Sequence, residues 1–171
     1  MAAIIINGQP VAADPWQRLE QNAGIEAVPA GDVIVPLKLW QSQRDALLAR
    51  KNGRLGIWLD GADDPEAIAN DLAHFALIAI NFPAFTDGRG YSIARLLRER
   101  YGWKGELRAI GDVLPDQVFY LSRVGFNALA LRPDKDVEDA LAALKTFSEA
   151  YQTSVDQPQP LFRRRIAAGA K

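Results

Sequence analysis

The sequence predicts an α/β protein, with strands and helices alternating around a mainly parallel sheet. Three observations carry this expectation. Apolar runs of strand length (VIV, LGIWL, ALIAINF, FNALAL) recur between stretches with helical spacing. The connections between them are short and hold Gly, Pro and Asp. The run ALIAINF is apolar throughout, the pattern of a strand covered on both faces. Repeated strand–helix alternation favours parallel strands joined by helical crossovers. Two architectures fit: an open doubly wound sheet, which is preferred, and a partial (β/α) barrel. A complete barrel typically needs about 250 residues, and this chain has 171.

The elements follow in order. Residues 1–30 are weakly patterned and are expected to form an N-terminal extension. AAIIING suggests a short strand, and DPWQRLEQ a helical turn capped by Asp14 with Pro15 at its first position. The α/β domain is expected over 31–151. GDVIVP reads as a strand. The next helix carries Leu37, Trp40, Leu47 and Leu48 on its apolar side and stops at Gly53. RLGIWLDG is a strand ending at Asp60, and DDPEAIANDLAHF a helix capped by Asp64. After ALIAINF, a helix places Ile93, Leu96, Leu97 and Tyr101 on one face and ends at Gly102. ELRAIGD is a strand, LPDQVFYLSRVG a helix closed by Gly125, and FNALAL a strand. A last helix runs from Val137 to Tyr151. Residues 152–171, with Pro residues and FRRR, read as a loose C-terminal tail.

Composition limits the functions available. Hydrophobic residues make up 49% and charged residues 24%, ordinary for a globular protein. The net charge of −1 gives no global field toward nucleic acid or an anionic membrane. Without cysteine the chain cannot use a thiol nucleophile, a cysteine-ligated cluster or a zinc–thiolate site. The single histidine, His74, leaves little for a catalytic triad or a histidine metal site and reads as a packed or surface residue. MAAIIINGQP lacks the basic n-region of a signal peptide, and no apolar run approaches the roughly 20 residues of a membrane span. These features lead to the expectation of a cytoplasmic protein without membrane or nucleic-acid partners.

If the strands are parallel, the segments after them share one edge of the sheet. That edge would gather Asp60, Asp87, Arg89, Asp112 and Arg132. The junction FPAFTDGRGYS is its most concentrated part. Asp87 sits where a helix cap belongs, Gly88 and Gly90 permit positive φ and close backbone approach, and Arg89 projects from a helix start that already favours anions. Arg89, Gly88, Gly90, Ser92 and Arg132 are therefore candidate anion-binding residues, and Asp87 and Asp112 candidate acid/base groups. The same spacing also suits a capped strand-to-helix turn with Arg89 paired to Asp87 or Asp112. GRG lacks the rest of a dinucleotide fingerprint. Asp60, Asp63 and Asp64 lack a full metal-ligand spacing, so no metal is expected. Arg95, Arg98, Arg100, Lys104 and Arg108 form a basic stretch, either a solvated face or a dock for an acidic partner.

The segment from Phe82 to Leu129, with FTDGRGYS, GELRA, GDVL, DQ and GF-AL, resembles the signature of a bacterial domain-of-unknown-function family, number 934. The resemblance spans roughly Asp32 to Tyr151. Its motif positions are Phe85, Thr86, Asp87, Gly88, Arg89, Gly90, Tyr91, Ser92, Gly111, Asp112, Asp116 and Gln117. It implies a genomic setting beside assimilatory sulfite reductase and a label of oxidoreductase involved in sulfite reduction. Sirohaem sulfite reductases couple a haem to a cysteine-ligated cluster, which a chain without cysteine cannot hold. The resemblance thus implies an accessory role, binding sulfite reductase or a sulfur oxyanion at the Asp87-Gly-Arg-Gly site. The alternative is a small α/β enzyme or oxidoreductase using Asp87, Asp112 and Arg89, with a non-covalent flavin or nicotinamide if it is redox-active. The cofactor and the oligomeric state stay open.

Overall fold

The computed structural model describes residues 3–169. Its eight strands form one mixed sheet that curls into a half-barrel. The strands are β1 (Ile4–Ile6), β2 (Gln9–Val11), β3 (Gln17–Arg18), β4 (Val33–Pro36), β5 (Leu55–Leu59), β6 (Leu77–Phe82), β7 (Glu106–Gly111) and β8 (Ala128–Ala130). The helices are α1 (Leu37–Leu48), α2 (Arg89–Glu99), α3 (Val118–Arg123), α4 (Val137–Leu144) and α5 (Leu161–Gly169). The order across the sheet is β2-β1-β8-β7-β6-β5-β4-β3. β3 through β8 are parallel, whereas β1 is antiparallel to both β2 and β8.

The α/β class and the mainly parallel sheet agree with the sequence reading. Of the two architectures, the partial barrel is the one observed. From β3 to β8 each strand lies beside its predecessor, always on the same side, so the sheet has no reversal point. Right-handed crossovers that progress in one direction place every connecting helix on one face. α1, α2, α3 and α4 accordingly share a single large core with Val35, Ile57, Ile80, Leu107 and Leu129. The other face holds a smaller cluster of Ile34, Trp58, Leu77, Ala79 and Ile110, with Trp16 and Ala130 packed against it.

Residues 3–30 supply strands to both edges of the sheet. Asn7 and Gly8, with φ of 50° and 74°, form the two-residue turn that pairs Ile6 with Gln9. The chain then passes from the β1–β2 edge to the β4 edge across the helix-free face. The helical turn expected at DPWQRLEQ is instead extended chain ending in β3. Asp14 does not cap a helix there. It accepts from Arg108, Nη1 at 2.6 Å and Nη2 at 3.3 Å, and Arg108 also bonds Glu106. Arg108 is thus buried on the inner face rather than displayed on a basic surface.

Three other expected helices are shortened. Residues 64–75 form two 3₁₀ turns, Pro65–Ile68 and Leu72–His74, although Asp64 caps the first as expected by accepting from Glu66 N–H. Between the turns Asp71 takes hydrogen bonds from Trp40 and Arg44, which fixes the chain out of helical register. The helix before β8 opens with the 3₁₀ turn Pro115–Gln117, and α3 begins at Val118. The final predicted helix stops at Leu144, leaving Phe147 and Tyr151 exposed. Arg123 draws the following chain onto α3 by donating to Asp156 and to the Gln152 carbonyl. Arg164 of α5 pairs with Glu149 at 2.6 Å. No helix among the described residues is long and apolar enough to cross a membrane.

Candidate functional site

The carboxyl ends of β5, β6, β7 and β8 bring the expected segments to one rim. Gly111 shapes it. Its φ is +93°, and a Cβ there would lie 2.4 Å from the Phe82 carbonyl oxygen. This close approach lets Asp112 N–H donate to Phe82 O at 2.7 Å and ties the ends of β6 and β7 together.

Asp112 is the hub of the rim. Oδ2 accepts from the Phe85 N–H at 3.0 Å, which holds the loop after β6. Oδ1 accepts from Arg132 Nη1 at 2.9 Å, which brings in the end of β8. Arg132 also donates through Nε and Nη2 to Asp134, at 2.6 and 3.0 Å. Asp112 is therefore not the partner of Arg89. Leu114 N–H is satisfied by Gln117 Oε1 at 2.9 Å, and Gln117 Nε2 reaches the Tyr91 hydroxyl at 3.3 Å.

Asp87 and Arg89 pair with each other. Arg89 Nη2 and Nε donate to the Asp87 carboxylate at 2.6 and 2.9 Å, and Arg89 N–H adds a third bond at 3.1 Å. The guanidinium hydrogen bond holds the Asp87 carboxyl at about 2, below its ordinary value. Arg132 does the same for Asp134, also at about 2. The stem of Arg89 lies over Gly61, and Asp60 adds its field to the arginine. Asp60 Oδ1 in turn accepts from Asn81 Nδ2 at 3.1 Å.

The two motif glycines have different structural settings. Gly88 has φ of −87°, so it uses no conformation closed to other residues. Gly90 is buried, and a Cβ there would stand 2.7 Å from Phe82 Cζ and 3.0 Å from Ile80 Cγ2. Its smallness lets α2 settle on the sheet. Ser92 is exposed on α2, and its hydroxyl makes no hydrogen bond among the described residues. Asp63 accepts from Asp60 N–H and Asp64 caps a turn, so the three aspartates do not converge. Among the described residues no three His, Asp or Glu side chains are grouped to hold a metal.

The charged rim side chains thus form two compensated networks, Asp87–Arg89 and Asp112–Arg132–Asp134. A cavity of about 490 Å³ is lined by Phe119, Tyr120, Phe147 and neighbours, and another of about 350 Å³ by Ile5, Phe126, Leu141 and neighbours. Neither includes a rim residue. What the rim does present is Phe85, half exposed at 50%. Sequence spacing signalled the charged residues but not this aromatic, whose exposure depends on Asp112 fixing its backbone. Arg98 was also missed as a structural group. It donates to the carbonyls of Gly125, Trp103 and Gly105 from a half-buried position.

These features define a single-wound α/β half-barrel with a braced strand-end rim. Residues 56–162 match the family described as "Bacterial protein of unknown function (DUF934)", and the chain belongs to that family. The match runs beyond α4 to the first turn of α5, so the tail held by Arg123 lies largely within the family's extent. A comparison with curated proteins finds no match.

Proposed function

We propose that the protein is an accessory factor of assimilatory sulfite reduction that docks on sulfite reductase through the strand-end rim around Phe85. The family resemblance, with its genomic setting beside the reductase, supplies the partner. The observation that carries the docking surface is Phe85. Half of this large apolar side chain is exposed, yet its own N–H is fixed to Asp112. A pre-ordered aromatic surrounded by charged pairs has the make-up of an interface anchor, because little entropy is lost on binding. The Asp87 carboxylate already neutralises Arg89 and takes its Nε and Nη2 hydrogen bonds, so a sulfur oxyanion there would meet a compensated pair, which weighs toward the protein partner. The basic helix contributes less than its sequence suggests, since Arg95 pairs with Glu99 and Arg98 is spent on carbonyls. The enzyme alternative has weaker support. A carboxyl held at about 2, as Asp87 is, is a poor base at neutral pH.

The test is size-exclusion chromatography with light scattering, on the protein alone and mixed with its cognate sulfite reductase. Co-migration is expected, and Phe85→Ala should weaken it by about tenfold or more, the scale of an aromatic hot spot. Separate elution of the wild-type proteins, or equal binding by Phe85→Ala, overturns the assignment.

A further inference from the structure

The helices do not seal the sheet where β8 begins. A cavity of about 350 Å³ opens there, beside the Asn7–Gly8 turn and at the end of the sheet opposite the rim. Its walls are apolar: Ile5 of β1, Phe126 and Leu129 in and before β8, and Leu141 and Leu144 of α4. Leu141 and Leu144 stand three residues apart and so share one face of α4. The polar residues at the cavity are few, and two are committed to the frame. Ser122 Oγ donates to the Phe119 carbonyl at 2.7 Å, and Asn127 Oδ1 accepts from Leu107 N–H at 2.7 Å. No carboxylate lines the cavity, and Lys145 is its one charged residue. Lys145 is exposed and makes no ion pair among the described residues. It caps the C-terminus of α4, where a cation is favoured, and this places its charge beside the opening. Its flexible four-carbon stem lets the ammonium follow a charge held at the cavity edge.

We propose that this cavity takes the hydrocarbon chain of a small anionic amphiphile, a carboxylate of medium chain length, with Lys145 meeting the head group. The walls reward burial of an apolar chain and leave few polar partners for a sugar or another strongly hydrated ligand. The absence of a carboxylate and the unpaired cation at the edge complement an anionic head. The volume lies at the lower end of the range for small-molecule sites, roughly 300–1,000 Å³. The cavity shares no residue with the rim, so its failure and that of reductase docking are distinguishable.

The experiment is an amide NMR titration of the ¹⁵N-labelled full chain with sodium hexanoate, octanoate and decanoate below their micelle concentrations, against sodium chloride at matched ionic strength. 1-Octanol serves as the uncharged counterpart of octanoate. Saturable shifts are expected at Gly8, Asn127, Leu144 and Lys145, with affinity rising about fourfold for each added CH₂. Lys145→Glu alters an exposed side chain and should leave the spectrum dispersed. It should weaken octanoate by about fivefold or more while leaving 1-octanol within about twofold, because only the carboxylate meets the reversed charge. Light scattering and cross-saturation on the protein alone distinguish the other occupant an apolar opening could have, a second copy of the chain. The proposal is overturned by an absence of saturable shifts, by affinity that does not rise with chain length, or by unchanged octanoate binding in a folded Lys145→Glu protein. A dimer whose contact surface covers Gly8 and Leu144 would overturn it as well.

Discussion

Single residues of FTDGRGYS divide by what a Cβ or a proton would do to them. Gly88→Ala should change stability by no more than about 0.5 kcal/mol in urea unfolding, because φ is ordinary and the nearest atom to a Cβ is 3.8 Å away. Gly111→Ala should cost on the order of 2 kcal/mol or more, since it combines positive φ with a collision at the Phe82 carbonyl. Asp87 supplies a pH signature. Its folded value, about 2, lies below the ordinary 3.8, so its pairing with Arg89 favours the fold above about pH 4. That contribution is lost as pH falls from about 4 through about 2. A carboxyl NMR titration should show the depressed value in the wild type and its return toward 3.8 in Arg89→Ala.

At the scale of elements, arginines fasten irregular chain to the regular frame. Arg98 on α2 holds the turn before β7 and the turn before β8 together through three carbonyls. Arg98→Ala should therefore destabilise the protein by about 2–3 kcal/mol, the value of charged hydrogen bonds whose loss strands buried acceptors. Urea denaturation checks this. Arg98 would be a poor neutral control for Arg89→Ala, since its loss would impair folding before any binding function. Arg123 does the same for the tail. Arg123→Ala should raise amide exchange in 150–160 while α2 and β6 stay protected, because its side-chain bonds to Asp156 and the Gln152 carbonyl tie that chain to α3.

Across the whole molecule the unusual feature is the helix-free face. A half-barrel with helices on one side only would leave Ile34, Trp58 and Ile110 in water. The segment 12–19 covers them, with Trp16 packed on the inner cluster and the Trp58 indole donating to Leu19 O at 2.9 Å. Asp14 fastens that segment to Arg108, which is 3% exposed. Asp14→Ala should cost roughly 2 kcal/mol or more, somewhat less than a broken buried pair because Glu106 remains. The tryptophan emission of the variant should report the loosened face.

The sequence by itself determined the α/β class, most strand positions, the shared strand-end edge and the family. Those follow from local patterns: apolar runs of strand length, Gly stops and a long motif. It also placed Asp64 as a cap and left open whether Asp87 and Arg89 formed a structural pair. Only the tertiary structure decided the half-barrel, because winding direction depends on which neighbour each strand chooses and not on its own pattern. It alone placed Asp14 on Arg108, 94 residues apart in the chain, and took Phe147 out of the expected helix to set its ring edge-on against Phe119, centroids 5.0 Å apart. It also decided which arginines are spent. An arginine's charge is written in the sequence, but whether a carboxylate or a carbonyl has already taken it depends on chain brought close by folding.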